Sequence, residues 1–366
     1  MASGFAPYIL RDLMNLAGQN YPGTKITAPG FLKLLLENTD IEGVRLVENN
    51  GHQLTAKVKY KQRISPSLVA ENDTCDIDFV PAYLEADISA VRIAKLGFYM
   101  SLDTVSKYMA EASQNVTIGT PPTGVLREIV NSIQHTANAM IGKVDQRLLG
   151  DVNWGTNVVY GDDAVHDLNI NKDATTFDLD SGYAKLLNDA FENEFAGDLL
   201  IAGSGKFNMA ELYKMTNTIG ANQSGVDISR FTGYRFYPDL WAKSSVNWGG
   251  DDIGVFAKGA IHLVDFNKYV GFRAGKLANS TFFQITLDVN GTPMKFDAQL
   301  RELDCPTEIL DVYGTAGTYR EGYVLYLKKT YGLFQLPSDS FATSDRLTGV
   351  NGAIHYNVTN ICENCS

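Results

Sequence analysis

The sequence predicts an α+β protein, and three observations carry that prediction. One stripe of apolar residues recurs at helical spacing from Leu126 to Leu148. Ahead of it, from Val44, the apolar pattern alternates every second residue, as in a strand that buries one face. Behind it, beyond Gly254, the pattern is again mainly that of strands.

The stripe is made by Leu126, Ile129 with Val130, Ile133, Ala137, Met140 with Ile141, Val144 and Leu148. Thr120 suits an N-cap, Pro121 the first helical position and Gly150 the end. The polar residues Gln134, Asn138, Lys143, Asp145 and Arg147 are expected on the other face, so the helix is expected to be buried on one side only. At 1.5 Å per residue it is about 40 Å long, more than one globular core requires.

The first forty residues hold two short helical stretches, Tyr8–Ala17 and Pro29–Glu37, separated by a turn around Tyr21-Pro22-Gly23. They read as an arm for a neighbouring molecule or as a first helix pair of the core. In the run from Leu54, Lys57, Lys59 and Lys61 share one face, and Ala56, Val58 and Tyr60 the other. In the run from Cys75 to Val80, Asp76 and Asp78 share one face, and Ile77 and Phe79 the other. With Ser65–Thr74 as a polar tip, the two runs read as a long hairpin whose Lys and Asp rows face each other. A two-stranded ribbon is marginal alone and lies on something else. Ala86–Tyr108 starts like a strand and ends more like a helix.

After the long helix, Asn153–Gly182 is polar and acidic, Ala184–Phe195 helical, and Asp198–Ala202 a buried strand closed by Gly203-Ser-Gly205. Asn208 is placed to cap a helix reaching Met215. Short strands and helices are expected to alternate through Phe236–Leu240 and Gly254–Val264. Further strands are expected at Tyr269–Ala274, Thr281–Val289, Met294–Leu303, Gly322–Lys328 and Leu333–Leu336. Asn290-Gly291 marks a tight hairpin turn.

The chain has 366 residues, 45% of them hydrophobic and 20% charged, enough for two or three ordinary domains. Phe31–Leu36, the longest early apolar run, contains Lys33 and is far too short to cross a bilayer. No basic, apolar leader opens the sequence, so a cytoplasmic site of synthesis and use is expected. A net charge of −11 argues against a dedicated nucleic-acid binder. Four cysteines, Cys75, Cys305, Cys362 and Cys365, are too few and scattered for a disulfide scaffold.

Chemical motifs are present only in fragments. Gly203-Ser-Gly-Lys206 sits between a strand and a helix like a phosphate loop, but Leu200 and Phe207 stand where that loop needs glycine and a hydroxyl. Asp167–Asp178 has the oxygen spacing of a calcium loop, with Lys172 where the turn glycine belongs and Asp178 in place of the bidentate glutamate. Cys362 and Cys365 have metal-knuckle spacing, with His355 the one nearby addition to a site that needs four ligands. His135 and His262 fall in a helix and a strand, where packing is their expected role. We therefore expect no catalytic, cofactor-binding or metal-ligating residues and no enzymatic activity.

The element order resembles the major capsid proteins of tailed phages with the Hong Kong 97 fold. Gly254-Val-Phe-Ala-Lys-Gly-Ala-Ile-His-Leu-Val264 and the closing Thr330-Tyr-Gly-Leu-Phe-Gln-Leu-Pro337 add to the likeness. The resemblance implies an N-terminal arm at 1–43 and an extended β-hairpin loop at 44–83 reaching over neighbours. It implies a peripheral domain at 84–152 with the spine helix Thr123–Leu149, an α/β axial domain at 153–258, and peripheral return strands with a C-terminal tail at 259–366. On that reading Lys57, Lys59, Lys61, Asp76 and Asp78 are candidate contacts between subunits. The partners implied are further copies in hexamers and pentamers, a portal, and enclosed double-stranded DNA held without sequence-specific binding. Relatives with a long scaffolding segment ahead of the arm differ from this chain, which implies either a separate scaffolding protein or a sequence already in its mature form, Met1 favouring the first. The implied location is the virion capsid, assembled in the host cytoplasm, with no membrane. Two alternatives remain open: a cytoplasmic α+β enzyme or ligand-binding protein with its site near Gly203–Lys206 and Asp162–Asp180, and a bacterial protein-cargo compartment of the same fold.

Overall fold

The computed structural model describes residues 28–38, 44–49, 53–60, 84–88, 92–101, 106–107, 125–169, 182–195, 198–208, 234–242, 247–266, 275–277, 280–289, 292–303, 307–310, 316–319, 322–338 and 349–359. Helix and strand are both abundant, as an α+β chain requires. The longer helices among the described residues are α1 (Gly30–Glu37), α2 (Val125–Gly150) and α3 (Gly182–Glu192).

The apolar stripe becomes α2, 26 residues with about 39 Å of rise. Ile129, Ile133, Ala137, Met140, Ile141, Val144 and Leu148 are all buried. The helix ends at Gly150, where Asn247 Nδ2 and Trp248 Nε1 donate to the carbonyls of Gly150 and Leu149. These bonds satisfy groups that a helix end leaves open. Thr120 and Pro121 lie outside the described residues. The expected polar face needs correction: Gln134 and Asp145 are buried, whereas Asn138, Lys143 and Arg147 are exposed. Gln134, Ile141 and Asp145, spaced seven and four apart, line one flank of the stripe, so the buried arc is wider than its apolar members alone define.

The chain divides into two units, and the division falls inside α2 between Val144 and Asp145. The first comprises Met1–Ala28, Arg92–Val144 and Asp265–Tyr331. Its main sheet joins β10 (Gly275–Leu277), β11 (Ser280–Val289), β12 (Thr292–Leu303), β15 (Gly322–Gln335) and β4 (Arg92–Ser101) in that order, all antiparallel. Phe283 faces Ala298, Ile285 faces Phe296 and Leu287 faces Met294 across β11 and β12, so one side of this hairpin is continuously buried. Val289 pairs with Thr292, the register that a two-residue loop demands; Asn290 and Gly291 themselves lie outside the described residues. A separate hairpin pairs β13 (Thr307–Leu310) with β14 (Ala316–Tyr319).

Two expectations are revised in this sheet. Within Ala86–Tyr108 the strand runs on to Ser101, because β4 pairs with β15 from Tyr331 to Gly322, and helix is found later, at residues 106–107. Gly97 makes room there for the Tyr326 ring, which a Cβ would strike. β15 is also one strand of 14 residues where two, Gly322–Lys328 and Leu333–Leu336, were expected. Lys329 is buried within it, its Nζ 2.6 Å from Asp265 Oδ2 and 2.6 Å from the carbonyl of Lys295. Burial lowers the Lys329 pKa, and the charge of Asp265 opposes that shift. Lys329→Met is expected to cost about 2–3 kcal/mol in urea denaturation, because Asp265 would lose its partner. Asp265 is about one-third exposed, which keeps the figure below that of a fully buried pair. The double variant with Asp265→Ala should recover most of the loss. Equal midpoints for the parent and Lys329→Met would refute the assignment.

The second unit comprises Pro29–Val91, Asp145–Val264 and Gly332–Ser366. Its largest sheet has the order β5 (His166–Asn169), β16 (Ala353–Thr359), β8 (Ile253–Phe256), β6 (Leu199–Gly203) and β7 (Tyr234–Pro238). The outer pairs β5–β16 and β6–β7 are parallel, and β16–β8 and β8–β6 are antiparallel. α3 contributes Leu186 and Ala190 to the same apolar cluster as Ile201, Ile253 and Val255. β9 (Ile261–Phe266) follows β8 and pairs with β15. The placement of β16 corrects the assignment of 259–366 to return strands and tail, since residues 353–359 form a central strand of the α/β sheet. Tyr269–Ala274 lies outside the described residues. A helical turn occupies residues 205–208, so Asn208 sits within it and Ser204 precedes it, its Oγ 3.4 Å from the Lys206 amide.

Candidate functional site

The charged ribbon singled out in the sequence is a three-stranded sheet of β1 (Val44–Asn49), β2 (Gln53–Tyr60) and β3 (Leu84–Ile88). Period-two alternation sorts its faces as expected. Ala56 and Val58 are buried, and Tyr60 packs its ring 6.0 Å from that of Phe334. Lys57 and Lys59 point the other way. The partner of this strand differs from expectation. β2 is paired on one edge by β1 and on the other by β3, and Cys75–Val80 lies outside the described residues.

The acids opposite the lysines are therefore Glu85 and Asp87. Lys57 Nζ lies 3.6 Å from both Glu85 Oε2 and Asp87 Oδ1, and Lys59 Nζ 3.9 Å from Glu85 Oε1. Lys61, Asp76 and Asp78 lie outside the described residues. Leu84-Glu-Ala-Asp-Ile88 carries the same alternation of acid and apolar residues as the Asp76 run, and that was the missed signal. Each of these exposed pairs is worth under about 1 kcal/mol, so they do little for stability and leave a charged face open to other contacts.

The turn at Gly203–Lys206 has a structural role. Gly203 has φ +149°, and a Cβ there would strike the carbonyl of Asp252. Lys206 Nζ is 2.9 Å from Asp251 Oδ2, and Ser204 Oγ is 3.3 Å from Asp251 Oδ1. A phosphate would have to displace that carboxylate from the lysine. In the acidic segment Asp167 belongs to β5, where its Oδ1 accepts from Asn357 and its carbonyl from Lys185. The rest of that calcium-like spacing lies outside the described residues, as do Cys362 and Cys365. His355, their one nearby addition, is buried in β16. Its Nε2 is 2.7 Å from Asp252 Oδ2, and its ring stacks on Trp154 at 4.3 Å. Among the described residues no three His, Cys, Asp or Glu side chains are grouped to hold a metal ion.

The remaining polar groups act as fasteners. Tyr356 Oη donates to Asp189 Oδ2 at 2.6 Å, and Asn193 links Asn157 to the carbonyl of Asp189, tying α3 to the sheet. Burial, with the charge of Asp189, drives the Tyr356 hydroxyl far above the ordinary phenol range, so it stays a donor. Tyr237, pushed up to about 12 by burial and by Glu37, donates to Glu37 Oε2 at 2.7 Å. His262 Nδ1 is 2.9 Å from the carbonyl of Asn38, and burial lowers its pKa. His135 is exposed on α2.

Around the first turn of α1 two acids converge. Phe31 N donates to Asp239 Oδ2 and Leu32 N to Asp145 Oδ1, each at 2.8 Å. Above them Phe31 packs against Trp248 and Phe256, with ring centroids 5.8 and 5.7 Å away. Gly254 leaves room for Trp248 and Trp154, which a Cβ would strike. The convergence of Asp145 and Asp239 on one helical turn has no signal in the sequence, because the two lie 94 positions apart.

No known family matches the sequence, and no curated protein does. Among solved structures the chain is similar to that of Mycobacterium phage Adephagia, with 8% identity over 85% of this chain and 86% of that one, at a TM-score of 0.45. It is similar to the cyanophage A-1(L) capsid asymmetric unit, with 11% identity over 93% and 96% and a TM-score of 0.47. It is also similar to the capsid of Myoviridae phage XM1, with 12% identity over 93% and 96% and a TM-score of 0.40.

Proposed function

We propose that this chain is the major capsid protein of a tailed phage, a structural subunit that assembles into hexamers and pentamers around double-stranded DNA. The observation that carries the reading is the chain order. A paired, charged ribbon comes first, then a 26-residue helix that runs from one unit into the other, then a mixed α/β sheet, then long antiparallel strands. A shell subunit needs that order to give it a spine, a surface for its neighbours and no reaction centre. Residues 1–43 are the arm, 44–83 the extended loop and 84–152 the peripheral domain with α2. The axial domain is 153–258 together with β16, and the strands between 259 and 352 return to the periphery. The chain works in the virion capsid, is assembled in the host cytoplasm, and has a scaffolding protein and a portal as partners. No helix among the described residues is long and apolar enough to cross a membrane. The excess of acidic residues limits adhesion to enclosed DNA.

The ribbon supplies the test. Its apolar face is already used within the chain, so contacts with neighbours fall to the charged face and to the segment between β2 and β3, where Lys57, Lys59, Lys61, Asp76 and Asp78 act. Deleting residues 65–74 should leave a soluble, folded subunit that forms few particles under electron microscopy, while the parent forms hollow shells or hexamers. A parent that stays a compact monomer at high concentration would sink the shell reading. A deletion variant that fails to fold would show the segment to be core. Nucleic acid inside purified particles supports a virus; packed protein would point to a cargo compartment.

A further inference from the structure

The carboxyl pair around the first turn of α1 does more than cap a helix. Asp145 is fully buried and Asp239 nearly so. Asp239 accepts from three backbone groups, Phe31 N at 2.8 Å, Trp241 N at 2.8 Å and Ala242 N at 3.3 Å, an arrangement that suits a carboxylate. Among the described residues Asp145 accepts from Leu32 N alone, and its Oδ2 is buried without a hydrogen-bond donor. Two charged carboxylates in so dry a place repel strongly, and a shared proton removes the conflict.

We propose that α1 is held by a proton latch, in which Asp145 and Asp239 share one proton around its first turn, so that rising pH loosens α1 from the rest of its unit. The surrounding charges are committed elsewhere. On α1, Lys33 and Glu37 face each other at 3.8 Å, and Tyr237 donates to Glu37. On α2, Arg147 is exposed; beside Pro238, Lys206 is taken by Asp251; and His355 faces Asp252. Among the described residues no basic side chain pairs with Asp145 or Asp239. Gly30 adds a steric reason for a close fit, since a Cβ there would run into the carbonyl of Pro238.

The direction follows from linkage. Burial first, and then the charge of Asp239, raise the Asp145 pKa well above its ordinary value, against the single backbone bond that lowers it. A carboxyl raised in the docked state supports docking fully below its free value, about pH 4, and loses that support as pH climbs towards the docked value. Over that window the docking equilibrium weakens by up to tenfold per pH unit.

Hydrogen exchange read by mass spectrometry on the full chain, from pH 5 to 9 and corrected for intrinsic rates, tests this without reference to the shell reading. Protection of the peptide containing α1 should fall with rising pH by up to tenfold per unit, while that of α3 should not follow it. Asp145→Asn should hold α1 at high protection with no slope. A flat parent profile, equal slopes in α1 and α3, or the parent slope in Asp145→Asn would each overturn the latch. If Asp145→Asn does not fold, the parent profile of α1 against α3 decides alone.

Discussion

Ile133→Asp should leave no stably folded protein. Ile133 has no exposed surface at the middle of α2, so the variant loses a packed side chain and places a carboxyl in a dry site with no partner. Together these cost roughly 4 kcal/mol or more, a large share of the 5–15 kcal/mol that holds a typical domain folded. Asn138→Asp is the matched control, because residue 138 is exposed on the same helix and its change should stay within about 0.5 kcal/mol. Gln134→Asp does not serve as that control: Gln134 is only 5% exposed, and the variant should fold poorly too. Circular dichroism melting of all three variants checks the helix rotation. Ile133→Asp melting like the parent while Asn138→Asp collapses would mean that the faces are reversed.

Phe31→Ala should be nearly as damaging. Phe31 has no exposed surface, and its ring is held by Trp248 and Phe256 where α1 meets its unit. Truncating a buried phenylalanine costs about 3–5 kcal/mol, and the cavity cannot close without moving Trp248 or Phe256. A fall in melting temperature on the order of 10 °C is expected for a unit of this size. Tryptophan emission should shift, and Phe31→Leu should recover much of the loss. Unchanged melting in Phe31→Ala would mean that α1 does not hold that unit together.

Features set by local pattern were readable in the chain. Helical spacing located α2, the Asn290-Gly291 pair pinned the register of β11 and β12, and alternation gave the faces of β2. What escaped depends on residues far apart in sequence. β15 was divided after Lys328 because Asp265, which pairs with the buried Lys329, comes 64 positions earlier, on another strand. Asp145 looked like a surface residue because the amide of Leu32 that donates to it lies 113 positions earlier. The lysine row of β2 was assigned to the wrong acids because two segments downstream alternate alike, and nothing local says which occupies the edge. β16 was misplaced because a strand does not announce its sheet.

That last strand has a consequence for the order of manufacture. β16 stands between β5 and β8, so Asn357 meets Asp167 190 positions after it was made. Until residue 359 has left the ribosome, β5 and β8 each present an unsatisfied edge, and the nascent sheet is open through its middle. Pairing across so many residues is slow, and open edges invite association with other chains. A product cut short before residue 353 would lack the strand that joins β5 to the other three strands of this sheet, and would leave those edges open for good.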